Sequence, residues 1–176
     1  DLFMRGRHCY GKGWLEGNIQ EAQSEARSFL EQAIEINPNF AAAFAWLAIT
    51  YSAAWFSLSD ASAQSLDKLE SASRKSVLLD PELPIAHLTV HTAHQLRGER
   101  EEALAAAHRA IELNPSFARA YRYLGGYLAE TGEPEEAISV LGKGMRLSPR
   151  DPWLCEFIRH TGRAHFAAGR YEDAVE

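Results

Sequence analysis

The chain is poor in cysteine: among 176 residues only Cys9 and Cys155 occur. Two distant cysteines make no disulfide framework, and no C-x-x-C pair suggests a redox or zinc motif. Positive charge is also short. Eighteen Lys and Arg against twenty-four Asp and Glu leave a net charge of −6. That excludes a nucleic-acid binder relying on a generally basic surface. No apolar run approaches the ~20 residues of a membrane span, so direct membrane contact is not expected. The opening DLFMRGRHCYG has no secretory h-region, because Arg5 interrupts its apolar residues. Free thiols and an acidic balance favour the cytoplasm, unless an anchored parent chain places this part elsewhere. Residue 1 is not methionine, and a fragment of a longer chain is expected. Catalytic signatures are missing too: no G-x-S-x-G, no phosphate loop and no ordered Ser/His/Asp set. The glycines of GKGWLEG follow a helix rather than a strand, so they read as a loose loop. No cofactor and no enzymatic activity are expected.

What is present is a repeat. The phrases EQAIEINPNFAAAFAWL, SRKSVLLDPELPIAHLTV, AHRAIELNPSFARAYRYL and LGKGMRLSPRDPWLCEFI align. Pro81, Pro115 and Pro149 stand thirty-four residues apart, and Pro38 lies forty-three before Pro81. If each proline is slot 32 of its unit, Tyr121, Leu124, Gly125 and Leu128 take slots 4, 7, 8 and 11. Ala137, Leu141 and Gly144 then take slots 20, 24 and 27. Small residues at 8, 20 and 27 let two helices approach, while larger ones fill the seam. Proline ends the second helix, and Asn37, Asp80 and Asn114 before it suit a turn. Ten helices are expected: 2–14, 21–36, 40–58, 62–79, 83–97, 100–113, 117–131, 134–147, 152–168 and a stub from Tyr171. GKGWLEGNIQ and AAWFSLSDASAQS lengthen the first two pairs, the first through its connection and the second by extending its first helix.

These phrases resemble the tetratricopeptide repeat family, whose period is 34 residues. The resemblance implies an all-α fold, a right-handed solenoid of antiparallel helix pairs with about four and a half repeats. It forms one domain, 1–176, with repeats near 1–40, 41–83, 84–117, 118–151 and a truncated 152–176. It implies a non-catalytic scaffold binding a protein or peptide in its concave groove. DLFMRGRHCY followed by FLEQAIEINPNFAAAFAWLA is also similar to repeat regions downstream of bacterial adenylate or guanylate cyclase domains, or of membrane-anchored regulators. The alternative function is therefore a regulatory repeat region of such a protein.

Family slots 2, 5, 6, 9, 12 and 13 of the first helix face the groove. They hold Trp46; Thr89, Thr92 and Gln95; Arg119, Arg122 and Tyr123; and Arg159, His160 and Arg163. The four arginines form a pocket for an acidic segment or a C-terminal carboxylate, or else pair with Glu130 and Glu156. The carboxylate clamp of chaperone-binding relatives is matched in charge but not in residues. His87, His91 and His94 share one helix face. They could be a zinc site, but they fall on slots 4, 8 and 11 and are expected to pack in the seam. The truncated last repeat should leave Ile158, His165 and Phe166 partly bare, a surface for missing residues or for a homodimer.

Overall fold

The computed structural model describes residues 1–57 and 60–174. Among them there are nine helices and no strand: α1 (Leu2–Glu16), α2 (Ile19–Ile36), α3 (Ala41–Phe56), α4 (Ala63–Leu79), α5 (Pro84–Arg97), α6 (Arg100–Leu113), α7 (Ala118–Glu130), α8 (Pro134–Leu147) and α9 (Leu154–Ala167). No described helix is long and apolar enough to cross a membrane. The helices form two compact units, Asp1–Ala103 and Leu104–Glu176.

Within the first unit α1 packs on α2, α3 on α4, and α4 on α5. The buried face of α2 is Ala22, Ala26, Leu30 and Ala33, at the spacing of one helical stripe. Gly6 of α1 lies against it. A Cβ at Gly6 would come within 2.9 Å of Leu30 and 3.1 Å of the Ala26 carbonyl. In the second unit Gly125 of α7 meets Leu141 and the Ala137 carbonyl of α8 in the same way, at 2.5 and 3.3 Å. Gly6 is therefore the slot-8 residue of the first pair, a register that no proline marks. Around Gly125 the core contains Leu124, Leu128, Ala137 and Ala164. Phe157 packs with Leu141 and fills the space that a side chain at Gly144 would need.

The turns before the first helices are built by side chains. Asn37, Asp80 and Asn114 each accept the backbone N–H two residues on, at 3.1, 3.0 and 3.0 Å. In the next turn Ser148 takes the place before proline, and Asp151 makes this bond instead, at 2.9 Å. Ser62 caps α4 by accepting from the Ser65 N–H. Pro84 and Pro134 sit in first turns, where a missing N–H costs nothing.

Three expectations need correction. The first connection is not long: α1 runs to Glu16 and α2 starts at Ile19. The eight residues or so of surplus extend both helices, and GKGWLEG is the end of α1 rather than a loop. Gly13 permits this, since a Cβ there would fall 2.3 Å from that of Ala22. Gly17 then stops α1 with a positive φ of 77°. The tenth helix is not formed among the described residues, where Tyr171–Ala174 is a turn; Val175 and Glu176 lie outside them. The end of the third predicted helix, Leu58, also lies outside them, and α3 ends at Phe56.

Candidate functional site

The three histidines take three separate partners. His87 reaches the Pro81 carbonyl through Nε2 at 2.8 Å. Tyr121, in the same slot of the second unit, donates its hydroxyl to the Pro115 carbonyl at 2.9 Å. Slot 4 thus ties the first helix to the turn before it. His94 pairs with Glu99 at 2.5 Å, across the α5–α6 turn. His91 is wholly buried and donates Nδ1–H to the Ala103 carbonyl at 2.8 Å. Burial disfavours its charged form and pushes its pKa down to about 4, against the opposing hydrogen bond. Among the described residues no three His, Cys, Asp or Glu are grouped to hold a metal ion.

The groove candidates of the first unit are more buried than the slot pattern suggests. Thr89 and Thr92 are buried, and their hydroxyls bond the Ala86 and Leu88 carbonyls at 2.7 and 3.0 Å. Thr92 therefore offers a partner no free hydroxyl. Both hydroxyls turn back on their own helix because a buried O–H must be satisfied. Gln95 is half-buried. Trp46 is only 7% exposed.

The second unit brings its candidates together. α7 and α9 pack directly. His160, 9% exposed, rests on Gly126, where a Cβ would come within 2.8 Å of the ring. Its Nε2 accepts from Arg159 at 3.1 Å. Burial first, then the charges of Arg159 and Arg122, push His160 down to about 4, although Glu156 opposes them. The ring is therefore neutral at physiological pH. Glu156 accepts from Arg159 at 2.6 Å. Burial would raise its pKa, but the bond and charge of Arg159, with Arg122 beside it, hold the carboxyl below its usual range. Arg163 pairs with Glu130. Two of the four arginines thus pair with carboxylates of their own unit, Glu156 and Glu130, the pairing expected as the alternative to a four-arginine pocket. Arg119 and Tyr123 are half-buried on α7.

Arg122 differs. Its guanidinium stands 4.8 Å from the Tyr123 ring centroid and 5.8 Å from that of Trp153. No carboxylate among the described residues lies within ion-pair distance of it. Stacking occupies the flat faces of a guanidinium and leaves the N–H donors at its rim, which suit a carboxylate. Trp153 and Gly126 were not among the residues singled out from the sequence. Trp153 lies in the turn before α9, outside the first-helix slots. Gly126 occupies slot 9, but its role depends on His160 lying above it.

A tetratricopeptide repeat family model matches residues 93–152. The small glutamine-rich tetratricopeptide repeat-containing protein 2 of Mycosarcoma maydis is 29% identical over 80 residues, 46% of this chain. The match spans 23% of that protein's length. Among solved structures, the thermophilic TPR protein TTC0263 of Thermus thermophilus is similar with a TM-score of 0.73 at 19% identity, over 97% of this chain and 86% of that one. YrrB, described as a TPR protein with an unusual peptide-binding site, has a TM-score of 0.54 at 20% identity, over 92% of this chain and 76% of its own.

Proposed function

We propose that this chain, which is built of tetratricopeptide repeats, is a protein-interaction module without a reaction of its own, and that its second unit binds an acidic segment or a chain-terminal carboxylate. The observation carrying this reading is Arg122, a guanidinium 4.8 Å from the Tyr123 ring centroid and 5.8 Å from that of Trp153 that makes no ion pair within 4 Å among the described residues. A peptide carboxylate can take its rim donors in bidentate fashion. The aromatic rings beside it offer apolar flanks for the neighbouring peptide residues. Neutral His160 adds no charge, and Arg159 and Arg163 contribute positive potential while remaining tied to Glu156 and Glu130. The peptide-binding site named for YrrB supports the general mode of action; it belongs to that protein and fixes no residue here.

The test is fluorescence anisotropy with a labelled Asp/Glu-rich peptide in free-acid and amidated forms. Arg122→Glu should abolish binding. Arg122→Lys should weaken it, because a point charge replaces a planar fork. Circular dichroism should stay unchanged in both variants. Equal binding by the Arg122→Glu chain would place the site elsewhere.

A further inference from the structure

The second helices of the first unit carry a group of polar side chains outside the groove slots. α3 packs on both α2 and α4. From α2, Arg27 places its Cζ 5.5 Å from the ring centroid of Tyr51 on α3. From α4, Lys68 places its Nζ 5.8 Å from the same centroid. The ring attracts both cations, but their like charges repel each other. An anion between them would remove that cost.

The donors of this group are unused. Arg27 and Lys68 make no hydrogen bond or ion pair among the described residues, and the Tyr51 hydroxyl makes no hydrogen bond. Carboxylates are near but do not close on the cations. Glu31 follows Arg27 at the i,i+4 spacing at which Lys12 and Glu16 pair, yet Arg27 lies over Tyr51 instead. Asp60 accepts the Ser62 N–H at 3.3 Å and meets Arg27 only through its charge. On α4, Asp67 and Glu70 pair with Arg97. Burial first, and then the charge of Glu31, push the Tyr51 phenol up, so it remains a protonated donor. Gln23 stands one turn before Arg27 on the same stripe of α2. It is 1% exposed, and neither atom of its amide has a partner. A buried amide left unbonded is unfavourable, and an oxygen accepting its N–H removes the penalty.

We propose that Arg27, Lys68, Tyr51 and Gln23 form an oxyanion site for a phosphoryl group, either free phosphate or a phosphorylated side chain. The donors come from three helices rather than from one planar fork, which suits the several oxygens of a phosphate. Glu31 and Asp60 offset the two cations in the wider field. Selectivity therefore comes from the directed donors rather than from net charge. The site is independent of Arg122, which lies in the other unit.

The experiment uses the full chain labelled with 15N and titrated at constant ionic strength. The titrants are sodium phosphate, sodium chloride, and a short phosphoserine peptide with its serine counterpart. The Arg27 Nε–H and Gln23 side-chain amide signals report on the site. Both should shift saturably with phosphate or with the phosphoserine peptide, and with neither chloride nor the serine peptide. A response to phosphate alone assigns the free ion, and tighter binding of the phosphoserine peptide assigns a modified side chain. Arg27→Gln should remove the Gln23 response. Lys68→Gln, on an exposed side chain, should weaken it roughly tenfold, the scale of a charged hydrogen bond, and Lys68→Arg should retain it. Backbone amide spectra should show each variant folded. The proposal is overturned if neither phosphoryl ligand saturates the signals, if chloride shifts them equally, or if the response survives both Arg27→Gln and Lys68→Gln.

Discussion

A Cβ on Gly126 would lie 2.8 Å from the imidazole of His160, so the ring rests on bare backbone of α7. This approach lets α9 close on α7 and excludes water from most of the ring. Burial first, and then the charges of three arginines around it, keep the imidazole neutral. The burial of His160 depends on that missing side chain.

Gly126→Ala should therefore force His160 outward. Overpacking of this kind costs about 1–3 kcal/mol, against a gain of up to about 1 kcal/mol in helix propensity. Net destabilisation in urea is expected, with the His160 titration moving upward toward the ordinary range in NMR. Gly11→Ala is the control, because nothing lies within 4 Å of its would-be Cβ. That variant should be stabilised by up to about 1 kcal/mol.

Acid should weaken the fold before the carboxylates titrate. His91 and His160 are both pushed from 6.5 to about 4 by burial first, so the unfolded chain takes up protons that the folded chain refuses. Their full stabilisation is present above pH 6.5 and is lost as pH falls toward 4. At pH 5 the loss from His91 is on the order of 2 kcal/mol. Urea midpoints at pH 7 and pH 5 should differ accordingly, and a chain carrying His91→Gln and His160→Gln should lose most of that difference. An equal slope in the double variant would assign it to other groups.

Tyr121→Phe removes the bond to the Pro115 carbonyl and little else, since the ring stays buried. Water can reach the exposed Pro115. A loss of about 1 kcal/mol is expected, read as a lower melting temperature with unchanged helical signal.

Glu130→Gln separates stability from binding. The Arg163–Glu130 pair is partly exposed, and such pairs contribute about 0–1 kcal/mol. Melting should hardly change. Release of Arg163 should tighten binding of the acidic peptide to the second unit, and the gain should shrink at high salt, since the Debye length is about 3 Å at 1 M. Unchanged affinity would mean that Arg163 does not contribute to the site.

Most helix limits were legible in the sequence, because they rest on local physics. Proline cannot continue a helix, Asn or Asp before it closes the next turn on its own backbone, and small residues must recur where two helices touch. The spacing of Pro81, Pro115 and Pro149 therefore carried the paired helices from α4 onward to within about two residues. The extension of α1 and α2 was not legible. Gly11, Gly13 and Gly17 look alike in the chain, yet Gly13 is pressed against Ala22 inside the pair, Gly11 faces open space, and Gly17 alone turns left-handed. Only tertiary packing separates them. The same holds at the candidate sites. The slots placed arginines on first helices, but Arg163 finds Glu130 thirty-three residues away and Arg159 finds Glu156 three residues away, while Arg122 lies over the Tyr123 and Trp153 rings and acts on Glu156 only through its charge. Charge pairing is decided by distance in space, which only the tertiary structure sets, whereas the order of residues along the chain decides which helix carries each arginine.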